Sequence, residues 1–390
     1  MKTKIIIVSQ VPLTPQIMRD TYLVEYIDFG YDVSFWDLSR LIHPGLHLCD
    51  EITHPCLTKY NSLDELRQSI TSYHTIDPIY IFDFDPSWKN NQIFILFKKW
   101  NCTCIRIDMY ANTHLRSSKV SFLRRLQKVI SRNGLKLIKG KINRLSYTIY
   151  IKYHLKFSFN RFLSSSCYSN RTDCINHPDY DEYIRTRNIK RDAPKHIVFI
   201  DTYYGLHPDA KYFYNIKLNI NIDEYHNSLK RFFDYVEHQY GLPVVIAAHP
   251  KSNYTKKEYG NREIIKYKTL ELIKEAKYVI AQVCNTFSWI SLENKPVLLL
   301  SNNEYLKSPN MRNGLNALSD FFDCKIQNID NTPYEDIEFK TIREDKRLQY
   351  IYSYLTSPVT ENKRNIDILN DLINSISSNK KQLSKQFNSI

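Results

Sequence analysis

Three short stretches of the 390-residue chain carry residue types that do chemistry when they stand together. His249, Pro250, Lys251 and Ser252 follow the apolar run VVIAA. An imidazole with a lysine two residues on suits the oxygens of a phosphate or diphosphate. Asn285, Thr286 and Ser288 follow a second run, YVIAQV. These types favour a helix start, and a helix beginning near Thr286 would turn free backbone N–H groups toward an anion. Helix capping alone would use the same residues. Asp83 and Asp85 end a third run, PIYIFDFD. A carboxylate there can take a proton from a hydroxyl, provided its pKa is raised toward neutral. Ending the strand and capping the next turn would also employ them.

The elements around these stretches must position them. KIIIVSQV, YDVSFWDLS, PIYIFDFD and CTCIRIDMY read as strands. The spacing of Tyr22, Leu23, Tyr26 and Ile27 predicts a helix that stops at Gly30, and IFILFKKW predicts another. The alternation restarts after a polar stretch with HIVFID, the helix EYHNSLKRFFDYVEHQYG, VVIAAHP, the helix KTLELIKEA, YVIAQV, the short helix SWISLENK and PVLLL. Strand and helix in repeated alternation make a parallel doubly wound sheet. The expected fold is therefore α/β, with two Rossmann-like domains facing a cleft: residues 1–190, residues 191–355, and a C-terminal helix and tail over 356–390. Such sheets bind ligands outside the carboxyl ends of their strands. That rule adds Arg19, Asp20 and Asp108 as candidates in the first half.

Composition narrows the classes. A chain of this length exceeds a single growing core. No apolar run approaches the ~20 residues of a membrane span, and the short apolar run at the N-terminus, IIIV, reads as a strand rather than a signal peptide. The eight cysteines form no C-x-x-C pair, and Cys102 with Cys104 reads as packing on one strand face, which points to a cytosolic protein with neither disulfide nor metal. Eight glycines and no G-x-G-x-x-G or P-loop pattern argue against a standard dinucleotide or P-loop site.

Charge is unevenly placed. No acidic residue lies between Asp108 and Asp173, while fourteen Lys and Arg do, against a whole-chain net charge of +13. Within segment 116–161, FLRRLQKVI, LKLIKGKI and YTIYIKYHLKF mix this charge with apolar residues. A basic amphipathic stretch suits an anionic membrane surface, and no nucleic-acid-binding motif accompanies it. A solvated helix face is the plainer account.

VVIAAHPKSNY, with REIIKYKTLELIKEAKYVIAQVCNTFSWISLENKPVLLL, resembles the C-terminal half of bacterial surface-polysaccharide glycosyltransferases of the GT-B type. KIIIVSQVPLTPQIMRD and HIVFIDTYYGLHPD are similar to the openings of the two halves of such enzymes. A His-Pro motif followed by a Ser/Thr motif resembles sialyltransferases and Kdo transferases. That likeness implies donor contacts from His249, Pro250, Lys251, Ser252, Asn285, Thr286 and Ser288, with Glu293, then Glu271, toward the ribose of a UDP-sugar. The sequence departs in placing Asn285 where serine is usual and in lacking an Asp/Glu-Asp/Glu-Gly motif, so CMP- and UDP-linked donors both stay open. By the same likeness the base comes from the first half, Asp83 or Asp85, and the acceptor meets Arg19, Asp20 or Asp108. D-F-D also matches the D-x-D with which GT-A enzymes hold a metal. The implied activity is transfer of a sugar from a nucleotide-sugar to a lipid-linked saccharide in O-antigen or capsule synthesis, without metal or other cofactor. It would take place at the cytoplasmic face of the membrane, docked through segment 116–161, with no nucleic acid involved. A nucleotide-sugar epimerase of similar fold and a non-catalytic membrane- or polyanion-binding protein are the alternatives. Two further His-Pro pairs occur, His207 at a strand end and His177 in the stretch between the halves.

Overall fold

The structure is a computed structural model, and it describes residues 2–108, 112, 115, 132–189, 193–207, 219–255 and 257–387. Residues 116–131 of the basic segment lie outside the described residues. The first sheet comprises β1 (Lys4–Ser9), β2 (Asp32–Asp37), β3 (Leu57–Lys59), β4 (Ile79–Phe82), β5 (Thr103–Asp108), β6 (Arg161–Ser164) and β7 (Asp173–Cys174), in the order 3-2-1-4-5-6-7. The second comprises β8 (His196–Ile200), β9 (Val244–Ala248), β10 (Ile264–Lys266), β11 (Ala276–Ala281), β12 (Val297–Ser301) and β13 (Ile326–Asn328), in the order 10-9-8-11-12-13. All strand pairs are parallel. Counted from its own first strand, each sheet runs 3-2-1-4-5-6, the doubly wound order. The chain is thus α/β with two Rossmann-like sheets.

The central strands are apolar runs because both of their faces are covered. All six residues of β1 and all five of β8 are buried. One core lies on each face of the first sheet, and a single larger core surrounds the second. Each fully buried Ile or Val in them contributes roughly 1.5–3 kcal/mol. The short strands β3, β7, β10 and β13, of two or three residues, carry no periodic signal of their own.

Two elements differ from the sequence expectation. The helix expected through Tyr22 is two helices, Pro15–Asp20 and Leu23–Asp28, because Tyr22 takes φ 58. Its ring is buried, and its hydroxyl accepts from Asn365 Nδ2 at 2.7 Å, so a tertiary contact overrides helix continuity. The partner belongs to the Asn365–Phe387 helix, whose Ile366, Leu369, Leu372 and Ile373 pack with Ile5, Ile7 and Leu23 of the first domain. The chain therefore returns to its starting domain.

The carboxyl ends of the two sheets face one another, as contacts between their loops record. Tyr267, beyond β10, donates to Asp50 at 2.5 Å. Asn112, beyond β5, donates to the carbonyl of Asn285 at 2.8 Å. Arg19 lies 5.9 Å from the ring centre of Trp289.

Candidate functional site

On the second domain the site is built outward from Asp201, the first residue past β8. It is 3% exposed. Its carboxylate accepts from the backbone N–H of His249 at 3.1 Å and of Tyr203 at 2.9 Å, and from the hydroxyls of Tyr254 and Tyr259, each at 2.9 Å. Burial pushes its pKa up, and these donors oppose the rise. Asp201 thereby ties the turn after β9 to the end of β8. The 201–207 loop beside it is tightly fitted: Gly205 has φ +80, and a Cβ there would run into Ile220 and Ile222.

The turn after β9 carries the chemistry. His249 Nδ1 accepts from the N–H of Lys251 at 3.1 Å, so in the neutral ring Nε2 bears the hydrogen. That nitrogen lies 3.2 Å from Nε2 of His207, which then accepts. Burial first, then the positive fields of His207, Lys251 and Lys266, hold the His249 pKa well below its ordinary value. Lys266 Nζ donates to the carbonyls of Pro250, at 3.3 Å, and of Ser252. Ser252 is 0% exposed, and its hydroxyl has no hydrogen-bond partner among the described residues. Two histidines and two lysines thus converge on one turn. An arriving anion would offset the fields that now keep His249 neutral.

Past β11 the geometry corrects the sequence expectation. The Phe287–Glu293 helix has only seven residues. Its first-turn donors are engaged: the Cys284 thiol lies against the N–H groups of Thr286 and Phe287, while those of Ser288 and Trp289 bond the carbonyls of Asn285 and Thr286. No free N–H row is aimed at an anion there. The Ser288 hydroxyl is buried and donates to Asp179 Oδ2. Asn285 spends its carbonyl on Asn112. Glu293 is buried at the far end of the helix, away from the strand end. Glu271 lies in the Thr269–Glu275 helix.

On the first domain Asp83 stands just past β4, beside the end of β1. It accepts from Ser9 Oγ at 2.5 Å and from the N–H of Gln10 at 3.4 Å. Burial raises its pKa to about 6 despite these bonds. Asp85 differs: it is 70% exposed and paired with Arg106 at 2.9 Å. The two carboxylates address different partners rather than one point, which disfavours the D-x-D metal reading on geometry. Sequence reasoning missed the neighbours of Asp83. Lys89 Nζ donates to His43 Nδ1 at 2.8 Å, and His43 Nε2 reaches Gln10 Oε1 at 3.4 Å. Burial lowers the pKa of Lys89. The same 39–50 segment that carries His43 also brings Cys49 Sγ within 3.5 Å of the Lys251 carbonyl, so it touches both rims.

The remaining candidates divide. Asp108, at the end of β5, accepts from Ser164 Oγ at 3.1 Å. Asp20 is buried and ion-paired with Arg19 at 2.6 Å. His177 is a buried helix cap rather than a linker residue. Its Nδ1 accepts from Asp179 N at 3.1 Å, and its Nε2 faces Asn112 Oδ1 at 3.1 Å. Burial lowers its pKa to about 4 and raises that of Asp179 to about 6. Asp20, His177, Asp179 and Ser288 form a buried network where the domains join.

No protein-family model and no curated protein matches the chain. Solved structures of similar outline include CalG4, the calicheamicin glycosyltransferase, at 7% identity and TM-score 0.49 over 96% of this chain and 98% of that one. The wall teichoic acid polymerase TagF is 14% identical, with TM-score 0.49 over 98% and 90%. The UDP-GlcNAc 2-epimerase of Methanocaldococcus jannaschii is 11% identical, with TM-score 0.41 over 95% and 99%. At this distance they carry no reading of the site, which rests on its own geometry.

Proposed function

We propose that this chain is a glycosyltransferase that moves a sugar from a nucleotide-sugar to a hydroxyl of a lipid-linked saccharide. The observation that supports it most is the opposition of two unlike rims. On the second domain His249, Lys251, Lys266 and the Ser252 hydroxyl, which has no partner among the described residues, gather at one turn. On the first domain, next to the 39–50 segment that also touches the Lys251 carbonyl, stands Asp83, with a pKa raised to about 6.

In this reading the donor diphosphate or phosphate sits at the 249–252 turn. The Nε2 hydrogen of His249, passing from His207 to a phosphate oxygen when the donor binds, and the two ammonium groups stabilise the charge that develops as the glycosidic bond to phosphate breaks. Ionised Asp83 takes the proton from the acceptor hydroxyl as its oxygen bonds the sugar carbon. Ser9 and Gln10 keep Asp83 oriented, and His43 with Lys89 completes the acceptor rim. Charge stabilisation by side chains makes a metal unnecessary in this scheme. CMP and UDP are the donor nucleotides considered, and surface-polysaccharide synthesis is the setting that the sequence resemblance suggests. Among the described residues no helix is long and apolar enough to cross a membrane, so a lipid-linked acceptor would be met at a bilayer surface.

The test is thermal stability of the protein with CMP, UDP, GDP and dTDP, beside His249→Ala. Ligand that binds only the folded chain raises the melting temperature with occupancy. One nucleotide should stabilise the wild type and leave the variant unmoved. Silence with all four at millimolar concentration would sink the transferase reading. Release of free nucleotide with an isomerised sugar, and no acceptor dependence, would replace it with an epimerase.

A further inference from the structure

The Arg132–Tyr150 helix continues into the Ile151–Leu155 turn, and one side of it is packed while the other is bare. On the packed side Tyr147 is buried, and Trp88 lies between Tyr147 and Tyr150, with ring centres 4.9 Å away in both cases. Trp88 Nε1 also donates to Ser146 Oγ at 3.3 Å, and Tyr147 donates to Asn91 at 3.1 Å. On the bare side stand Ile142, Leu145 and Tyr153, each 61% exposed, and Ile149, 50% exposed. Their spacing of three, four and four residues sets them in one stripe along the helix. Exposed apolar side chains are ordinary when scattered, but a continuous row of four on one helix marks a surface that something covers.

We infer that this stripe is a membrane-insertion face, and that its occupant is the headgroup–acyl boundary of an anionic bilayer. Charge decides between occupants. Lys152 and Lys156 are exposed beside the stripe and Arg144 is exposed farther round the same helix, and the chain has no acidic residue from 109 to 172. A second copy meeting the same face would set two basic segments against each other. Anionic lipid attracts that charge while its acyl region takes up the apolar row. The position of the helix gives docking a consequence. Trp88, on which the helix rests, belongs to the 83–90 turn, which also supplies Asp83 and Lys89. A bilayer at the stripe therefore lies beside the acceptor rim, where the headgroup of a lipid-linked acceptor can reach Asp83. This last point rests on the proposed transferase reading; the binding itself does not.

The experiment is flotation of the full chain with vesicles of phosphatidylcholine alone or mixed with phosphatidylglycerol. It compares wild type with Ile142→Ser/Leu145→Ser/Ile149→Ser, which keeps every charge and alters only exposed positions. Wild type should float with the anionic vesicles and not with the neutral ones. The triple variant should lose roughly tenfold or more in apparent affinity, with unchanged melting temperature. Arg144→Gln/Lys152→Gln should weaken binding most at low salt. Equal flotation of wild type and triple variant would overturn the inference, as would no flotation of wild type. Light scattering that shows the triple substitution turning a dimer into a monomer would assign the face to a second copy instead. Vesicle binding that survives while no nucleotide is bound would retain this surface and reject the transferase reading.

Discussion

The two rims of the cleft share a topology and differ in chemistry. In each sheet the first strand has the second on one side and the fourth on the other, so residues just past neighbouring strands meet. In the second domain the junction of the first and second strands joins Asp201 to the backbone of His249, and the carboxylate works inward, holding a cationic turn in place. In the first domain the junction of the first and fourth strands joins Ser9 to Asp83, and burial raises that carboxylate's pKa to about 6. One aspartate is a strut bonded by four donors; the other keeps capacity for a proton. The difference teaches that the strand order dictates where polar residues gather, while the number of donors around a carboxylate decides its use.

The comparison can be broken by substitution. If Asp83 is the base, Asp83→Asn should lower kcat about 10³-fold and leave nucleotide affinity unchanged. Equal loss of both would make it a structural residue. Asp201→Asn should do the opposite, weakening nucleotide binding by about tenfold through loss of charge-assisted bonds, with kcat at saturating donor largely kept. Calorimetric titration beside steady-state rates separates the two outcomes.

A finer cut concerns pH. Asp83 must be ionised to act, so kcat/KM should fall as pH drops through about 6. Ser9→Ala removes a hydrogen bond that favours the ionised form, and the acidic limb should move upward by about half to one pH unit. The loss would then be several-fold near pH 6.5 and slight at pH 8. A limb that stays in place would exclude Asp83 as its source.

The smallest effect on rate is expected at the domain junction, where the readout is stability. The Asp179 pKa is raised from 3.8 to about 6 in the folded chain. Its contribution to stability is thus full at low pH and is lost as pH rises through about 6. Asp179→Asn removes that loss, and the gap in unfolding free energy between variant and wild type should grow by about 1–3 kcal/mol from pH 4 to pH 7.5. His177 has the opposite sign, since its pKa is lowered to about 4, and it keeps the wild type from simply gaining stability in acid. Denaturant unfolding at several pH values measures both slopes.

Particular elements show how much was legible in the residues alone. KIIIVS, HIVFI and VVIAA are strands buried on both faces, and an apolar run of that length has few other folds. Asp83 and His249 were legible as the polar residues that end such runs. His43, Gln10 and Asp201 were not, because nothing in their local sequence marks the partners that give them meaning. Strands β3 and β10 were invisible because pairing with a neighbour, not their own pattern, makes three residues extended. Thr286 and Ser288 misled because N-cap residue types say nothing about whether the helix end is already satisfied.

By itself, then, the sequence determined the class of the fold and the strand ends at which polar residues must surface, because burial on both faces demands continuous apolar runs. It also determined the basic stretch, since charge is a property of composition. Only the tertiary structure decided which of those polar residues are available. Burial raised Asp83 and lowered His249, Asp179 took up Ser288, and the closing helix drew Tyr22 out of its own. Each of these depends on partners far away in the chain, and desolvation and hydrogen bonding act through space.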